Sequence, residues 1–210
     1  MKWRDLLQTV GTEPLFNSGV LLTGRHDAAD VRRQLSRWVR DGRLIQIRRG
    51  LYALAPPYAR ARPHPFLVAN SARSASYVSL QSALAYHGLI PESVPVVTSV
   101  TTGRPGAQSN PLAELVYKHV KPAWFHGYRQ IEIVSGQHAF VATPEKALLD
   151  LIYLVPSADT SEYLNELRLH NLDQLDDRLL LETCRTSRSP KLLRAAEIVL
   201  DIRKRQTEGA

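Results

Sequence analysis

The residues best suited to do chemistry in this sequence are arginines, and their chemistry is recognition. Arg32, Arg33, Arg37 and Arg40, with Ser36 among them, fall within nine positions. A guanidinium reads the O6/N7 edge of guanine or grips a phosphate with two parallel hydrogen bonds, but only when a rigid element aims it. The spacing supplies that element. Val31, Leu35, Trp38 and Val39 stand at i, i+4, i+7 and i+8, so one face of a helix is apolar and the arginines hold the other. Asp27 is positioned to cap the first turn, Asp30 adds a carboxylate near the positive end of the dipole, and Gly42 marks the stop. Two β-prone runs follow, Leu44 to Ile47 and Leu51 to Leu54, joined through Arg48, Arg49 and Gly50 as a hairpin with a basic tip.

Helix, turn and basic hairpin are the second half of a winged helix-turn-helix, in which the helix enters the major groove and the wing lies on the flanking backbone. Arg32, Arg33, Ser36 and Arg37 are therefore the expected groove-facing residues, Arg40 a further DNA-binding residue, and Gln46, Arg48 and Arg49 the expected contacts to phosphates or the minor groove. A solvated arginine face on an ordinary surface helix is the plainer reading of residues 32–40 alone. Charge distribution argues against it. Residues 1–62 hold 12 Lys/Arg against 5 Asp/Glu, and the rest of the chain 15 against 15, so the whole excess of +7 lies in the first third. That is the footprint of a segment that neutralises phosphates.

Upstream, Trp3, Leu6, Leu7 and Val10 form a short amphipathic helix ended before Pro14, and Leu15 to Gly24 reads as a second short helix. With the arginine helix and the wing these give a domain over residues 1–56, centred on Leu35, Trp38 and Tyr52. A Pro-rich linker over 57–65 and a second domain over 66–210 follow. The second domain opens with a helix over Phe66 to Ser74 and a second one capped by Ser79, whose Leu80, Ala83, Leu84 and Tyr86 turn inward, and which ends at His87-Gly88. β-like runs span Val94 to Thr102, Leu112 to Val120, Tyr128 to Val134 and Ala139 to Ala142, with a turn over Gly103 to Asn110. Thr143-Pro144-Glu145 opens an apolar helix to Val155, and helices over Thr160 to Leu169, Leu172 to Thr183 and Pro190 to Arg205 complete the chain. The expected class is α+β: a winged helix-turn-helix followed by a mixed domain with a small, mostly antiparallel sheet.

Catalysis finds little support. His87, Glu92, Glu145, Lys146 and Asp150 are the residue types of a metal-dependent nuclease, yet Glu145 and Lys146 are adjacent, and Lys146 and Asp150 are spaced i, i+4 for an ion pair on one helix. The histidines lack paired zinc spacing, the single Cys184 sits in a leucine-rich helical stretch as buried filler, and no glycine-rich nucleotide loop occurs. The expectation is a protein that is not an enzyme, with no metal and no cofactor. Neither a signal peptide nor a run of about 18 apolar residues is present, which places the chain in the cytoplasm.

Three phrases, the basic winged helix ending in RRGLYAL, then YVSLQSALAYHGLIPE, then VATPEKALLDLIYL, in this order and spacing resemble the AbiEi family, antitoxins of type IV toxin-antitoxin and abortive-infection systems. The resemblance implies a winged helix that binds inverted repeats in the operon's own promoter as an autorepressor. It also implies a C-terminal domain that counteracts a nucleotidyltransferase-like toxin without a required stable complex. A working surface for that second task is sought among basic residues: Lys191, Arg194, Arg203, Lys204 and Arg205 on the terminal helix, or Lys118, Lys121 and Arg129 near the sheet. The competing reading is a ligand-responsive winged-helix regulator without antitoxin activity, which requires a pocket of converging polar groups.

Overall fold

The computed structural model describes residues 1–22 and 27–208. α1 (Trp3–Val10) is followed by a two-residue strand β1 (Phe16–Asn17) and a 3-10 turn over Ser18–Leu22. The helix expected over Leu15 to Gly24 is thus a strand and a tighter turn, and its expected end at Gly24 lies outside the described residues. Gly19 and the β-branched Val20 weaken a regular helix here, and β1 gains more by pairing: Phe16 lies opposite Tyr52, with their rings stacked at 5.8 Å. α2 (Ala28–Arg40) then leads into β2 (Leu44–Arg48) and β3 (Leu51–Leu54), and the three strands form a sheet in the order β1-β3-β2. Leu6, Val10, Phe16, Val31, Leu35, Trp38, Leu44, Tyr52 and Leu54 make its compact core, as expected for Leu35, Trp38 and Tyr52.

All four residues of β3 are buried, which one core cannot achieve on a pleated strand. Tyr52 and Leu54 face the winged helix's own helices. Ile47 and Leu51, with Ile45 beside them, face the other way and join the larger core of the C-terminal region. The wing is therefore the shared wall between two cores. The Pro-rich stretch that follows is pinned. Buried Gln137 accepts from the His64 N–H at 2.8 Å through Oε1 and donates to the Arg62 carbonyl at 2.9 Å through Nε2, while Tyr58 packs edge-on against Trp3 at 5.0 Å.

α3 (Pro65–Ala72) starts with His64 as its cap, Nδ1 accepting from the Phe66 N–H at 3.1 Å, and Pro65 in the first turn. After it come β4 (Ser76–Val78), α4 (Leu80–Tyr86), β5 (Val96–Thr101), β6 (Gly106–Asn110), β7 (Ala113–His119), β8 (Tyr128–Val134) and β9 (Gln137–Ala142). Their six-stranded sheet runs β6-β7-β5-β4-β9-β8. Three of its pairings are antiparallel, as expected, while β5–β7 and β4–β9 are parallel, and it is larger than anticipated. Two strands escape a reading of the sequence alone. β4 is three residues long, too short for a visible alternation, and β6 lies in the stretch expected as a turn, where polar Gln108 and Ser109 ride the sheet edge. α5 (Pro144–Leu154), capped by Thr143, α6 (Ser161–Glu166), α7 (Asp177–Ser187) and α8 (Pro190–Glu208) pack behind it. The expected helix from Leu172 begins instead as a 3-10 turn (Leu172–Gln174), and α7 starts afresh where Asp176 caps it. Among the described residues no helix is long and apolar enough to cross a membrane.

Candidate nucleic-acid interface

α2 carries the arginines as the spacing predicts. Asp27 Oδ1 accepts from the Ala29 and Asp30 N–H groups at 2.9 and 3.0 Å. Val31, Leu35 and Trp38 are buried, and Arg32, Arg33, Ser36, Arg37 and Arg40 are all exposed on the opposite side. Arg33 forms an ion pair with Asp30 one turn back, both side chains being open to solvent. Among the described residues Arg32, Arg37, Arg40, Arg48 and Arg49 form no ion pair, so Arg33 apart this basic face has no internal countercharge. Gly42, at φ +70°, lets the chain reverse after α2, and Arg43 N–H closes the turn on the Trp38 carbonyl at 2.8 Å.

At the wing, Gln46, Arg48 and Arg49 are exposed around Gly50, whose φ of +85° makes the tip and whose carbonyl accepts from the Ser18 N–H at 2.8 Å. The wing is also held from below. Gln108 Nε2 donates to the Ile47 carbonyl at 2.6 Å, and Arg48 donates to the Ser71 carbonyl of α3 at 3.3 Å and to that of Arg49 at 3.1 Å. Beside Arg48, Arg73 lies over the Tyr117 ring at 4.3 Å and donates to the Arg104 carbonyl. Burial pushes the Tyr117 hydroxyl up to about 12, with Arg73 and Arg48 pulling the other way. The basic strip of the wing thus continues to Arg73 of the second domain, which bonds the backbone of exposed Arg104. These two were missed because the sequence places them 25 and 56 residues beyond Arg48, and only the docked wing brings them together.

The residue types that suggested a nuclease are dispersed. His87 Nε2 bonds the Ala142 carbonyl at 2.8 Å, Glu92 pairs with Arg168, and Glu145 Oε1 accepts from the Asp176 N–H at 3.0 Å. Lys146 and Asp150 do pair, but inside the fold, at 2% and 0% exposure. Asp150 also accepts from Tyr77 OH at 2.9 Å, Ser79 Oγ at 2.7 Å and Trp124 Nε1 at 2.7 Å. The Lys146 ammonium lies 4.3 Å from the centre of the Trp124 ring. Burial lowers the Lys146 pKa, opposed by the Asp150 carboxylate, and burial followed by that same carboxylate raises Tyr77. Here the two sequence phrases meet: Tyr77 and Ser79 from one, Lys146 and Asp150 from the other. Ser79 caps α4 by position only, because its hydroxyl is spent on Asp150, and Tyr86, expected inside, is 43% exposed. Cys184 is fully buried, its thiol pushed up to about 11 by burial, and among the described residues no cluster of His, Cys, Asp and Glu could hold a metal.

The two candidate antitoxin surfaces differ in charge balance. On α8, Arg194 pairs with Asp159 at 2.6 Å, Arg203 with Asp177, Lys204 with Glu208 at 3.8 Å and Arg205 with Asp201 at 3.0 Å, while Lys191 donates to the Val155 carbonyl at 2.5 Å. Each of these five basic side chains has a local partner. Lys118, Lys121 and Arg129 are exposed and, among the described residues, form no ion pair.

Comparison with known proteins bears on the segment of α2 and the wing. Residues 20–55, which hold α2 and the wing, match the family model described as "Transcriptional regulator, AbiEi antitoxin". Residues 20–55 are thus similar to the AbiEi regulator model. That match spans α2, the turn and both wing strands, the same residues that carry the exposed arginines. The whole fold is similar to the crystal structure of the RV2827C protein from Mycobacterium tuberculosis. The TM-score is 0.60 at 17% identity, with 94% of this chain and 74% of that chain covered, a likeness that speaks to fold alone. No curated protein matches the chain.

Proposed function

We propose that the chain is an operator-binding autorepressor and the antitoxin of a type IV, AbiEi-like system that counteracts a nucleotidyltransferase-like toxin. The observation that carries the reading is the exposed arginine face of α2, on which only Arg33 has an ion-pair partner among the described residues, beside a basic wing and inside the segment that matches the AbiEi regulator model. In this proposal Arg32, Arg33, Ser36, Arg37 and Arg40 enter the major groove of inverted repeats, while Gln46, Arg48 and Arg49 meet the backbone or the minor groove. The expected division of labour is measurable. Arg33→Ala or Arg37→Ala weakens operator binding by about 1 to 3 kcal/mol and relaxes specificity. Arg49→Ala weakens all sequences alike and lowers the salt slope by about one phosphate. Unchanged affinity after all three, or binding insensitive to salt, defeats the DNA reading.

In the same proposal toxin neutralisation belongs to residues 66–210, with the unpaired Lys118, Lys121 and Arg129 a better working surface than α8, whose charges are satisfied internally. The full chain carrying Arg33→Ala and Arg37→Ala, co-expressed with the toxin from an unrelated promoter, should still rescue growth. Loss of rescue in a folded, DNA-blind variant, with the unmutated chain still rescuing, would place neutralisation on the arginine face of α2 instead of on residues 66–210.

A further inference from the structure

Between α3 and the β8–β9 hairpin lies a cleft of about 410 Å³, within the roughly 300 to 1,000 Å³ of small-molecule sites. Its walls are of two kinds. Phe125, Tyr128 and Phe140 form a chain of rings, Tyr128 lying 5.2 Å from Phe125 and 5.8 Å edge-on to Phe140, which is 42% exposed. Gln130 and His138 stand beside Tyr128 and Phe140 on the same sheet face, Ser71 and Ser74 come from α3 and the turn after it, and these four side chains have no hydrogen-bond partner among the described residues. Asn70 ties the two sides together, accepting from the Phe140 N–H at 2.6 Å and donating to the Ser76 carbonyl at 3.3 Å, so the cleft has a fixed floor. Among the described residues no Asp, Glu, Lys or Arg lines it.

That composition selects a ligand. A phosphate or carboxylate would lose hydration with no opposite charge to meet it, whereas a neutral planar ring gains an aromatic wall. An amide, an imidazole and two hydroxyls offer both donors and acceptors to the edge of such a ring. A second cleft of about 290 Å³ continues from this one towards the winged helix; it shares Leu67, Ser71, Gln130 and His138 and reaches Leu51 of the wing. Ser71 is also the residue whose carbonyl receives the Arg48 guanidinium. An occupant between α3 and β8–β9 therefore bears on the helix against which the wing rests.

We propose that this cleft binds a neutral heteroaromatic metabolite of the nucleobase or nucleoside class, and that its occupancy alters DNA affinity through the α3–wing contact. The second half rests on the DNA-binding reading, and the first does not. The test is calorimetric titration of the full chain with adenosine, cytidine and uridine and with their 5′-monophosphates. One nucleoside should saturate a single site, with its monophosphate binding roughly tenfold more weakly. Phe140→Ala, at an exposed ring, and Ser74→Trp, which fills the opening, should each weaken binding by roughly tenfold while leaving thermal unfolding unchanged. No saturation by any nucleoside, or a monophosphate that binds as tightly, overturns the site. The same samples are then titrated with a duplex from upstream of the protein's own reading frame, where a severalfold change in affinity on adding the nucleoside is expected. Nucleoside binding with DNA affinity unchanged overturns the coupling. Nucleoside binding with no DNA affinity at all leaves the cleft standing and overturns the DNA reading instead.

Discussion

Replacing Asp150 by Asn removes one charge and almost no volume from the centre of the second domain. The Lys146 side chain is 3% exposed, so its ammonium cannot turn to water when its partner is neutralised. Opening a buried ion pair from one side typically costs about 3 to 5 kcal/mol. The amide still accepts from Trp124 and Lys146, and the Tyr77 and Ser79 hydroxyls can rotate to accept in turn, which places Asp150→Asn near the lower end, at about 3 kcal/mol. Asp150→Ala further strands the Tyr77, Ser79 and Trp124 donors, at about 1 kcal/mol or more each. It should therefore cost about 5 kcal/mol or more, comparable with the whole stability of many domains. Lys146→Met keeps the stem packed under Trp124 and leaves the carboxylate its three other donors, for about 1 to 3 kcal/mol. The double variant Lys146→Met/Asp150→Asn should cost clearly less than the sum of the singles, because neither charge is then buried alone. Urea unfolding followed by tryptophan fluorescence reads all four, with Trp124 inside the cluster. A cost for Asp150→Asn below about 1 kcal/mol, or simple additivity in the cycle, refutes the reasoning.

Asp30→Asn should tighten DNA binding severalfold, since it releases Arg33 from its pair and removes a carboxylate beside the phosphates; the loss of a first-turn acid costs about 0.3 to 1 kcal/mol of helix stability. Fluorescence anisotropy against a labelled duplex reads it, and weaker binding would show that Asp30 does not compete. A fragment of residues 1–62 uncovers Ile47 and Leu51, 4% and 1% exposed in the full chain. It should lose about 3 to 6 kcal/mol relative to the same winged helix in place, so a fragment melting as high as the full chain would contradict the shared wall. Gly127→Ala sets a Cβ 3.0 Å from the Lys146 side chain at a φ of +73°, a destabilisation of about 1 to 3 kcal/mol by denaturant titration. At alkaline pH the folded pKa values of Tyr77 and Tyr117 lie above the ordinary 10.0. Their contribution is complete below that value and is lost as pH rises through the folded pKa, so stability should fall from about pH 10 upward. Phenolate absorbance should show these two hydroxyls titrating only as circular dichroism collapses; full titration of a folded chain would be the contrary result.

What the sequence determined by itself is what depends on neighbours along the chain. The period of Val31, Leu35 and Trp38, the Asp27 cap, the Gly42 and Gly50 turns and the Thr143-Pro144-Glu145 helix start are local rules, and each holds in the structure. The arginine face was legible for the same reason: when a helix buries one stripe, the opposite stripe is exposed whatever else the chain does. Tertiary structure decided everything that needed two distant segments. Ser79 had the position of a cap but found a better acceptor in Asp150, 71 residues on, where a buried carboxylate outbids a helix terminus. β4 and β6 exist because neighbouring strands supply their hydrogen bonds, and neither three residues nor a polar edge announces that in advance. The double burial of the wing and the approach of its Arg48 to Arg73 follow from one event, the docking of Ile47 and Leu51 into the second core, while the cleft beside α3 comes from the packing of that helix on the β8–β9 hairpin. A strand's alternation shows that its two faces differ; it does not say which core the second face will meet.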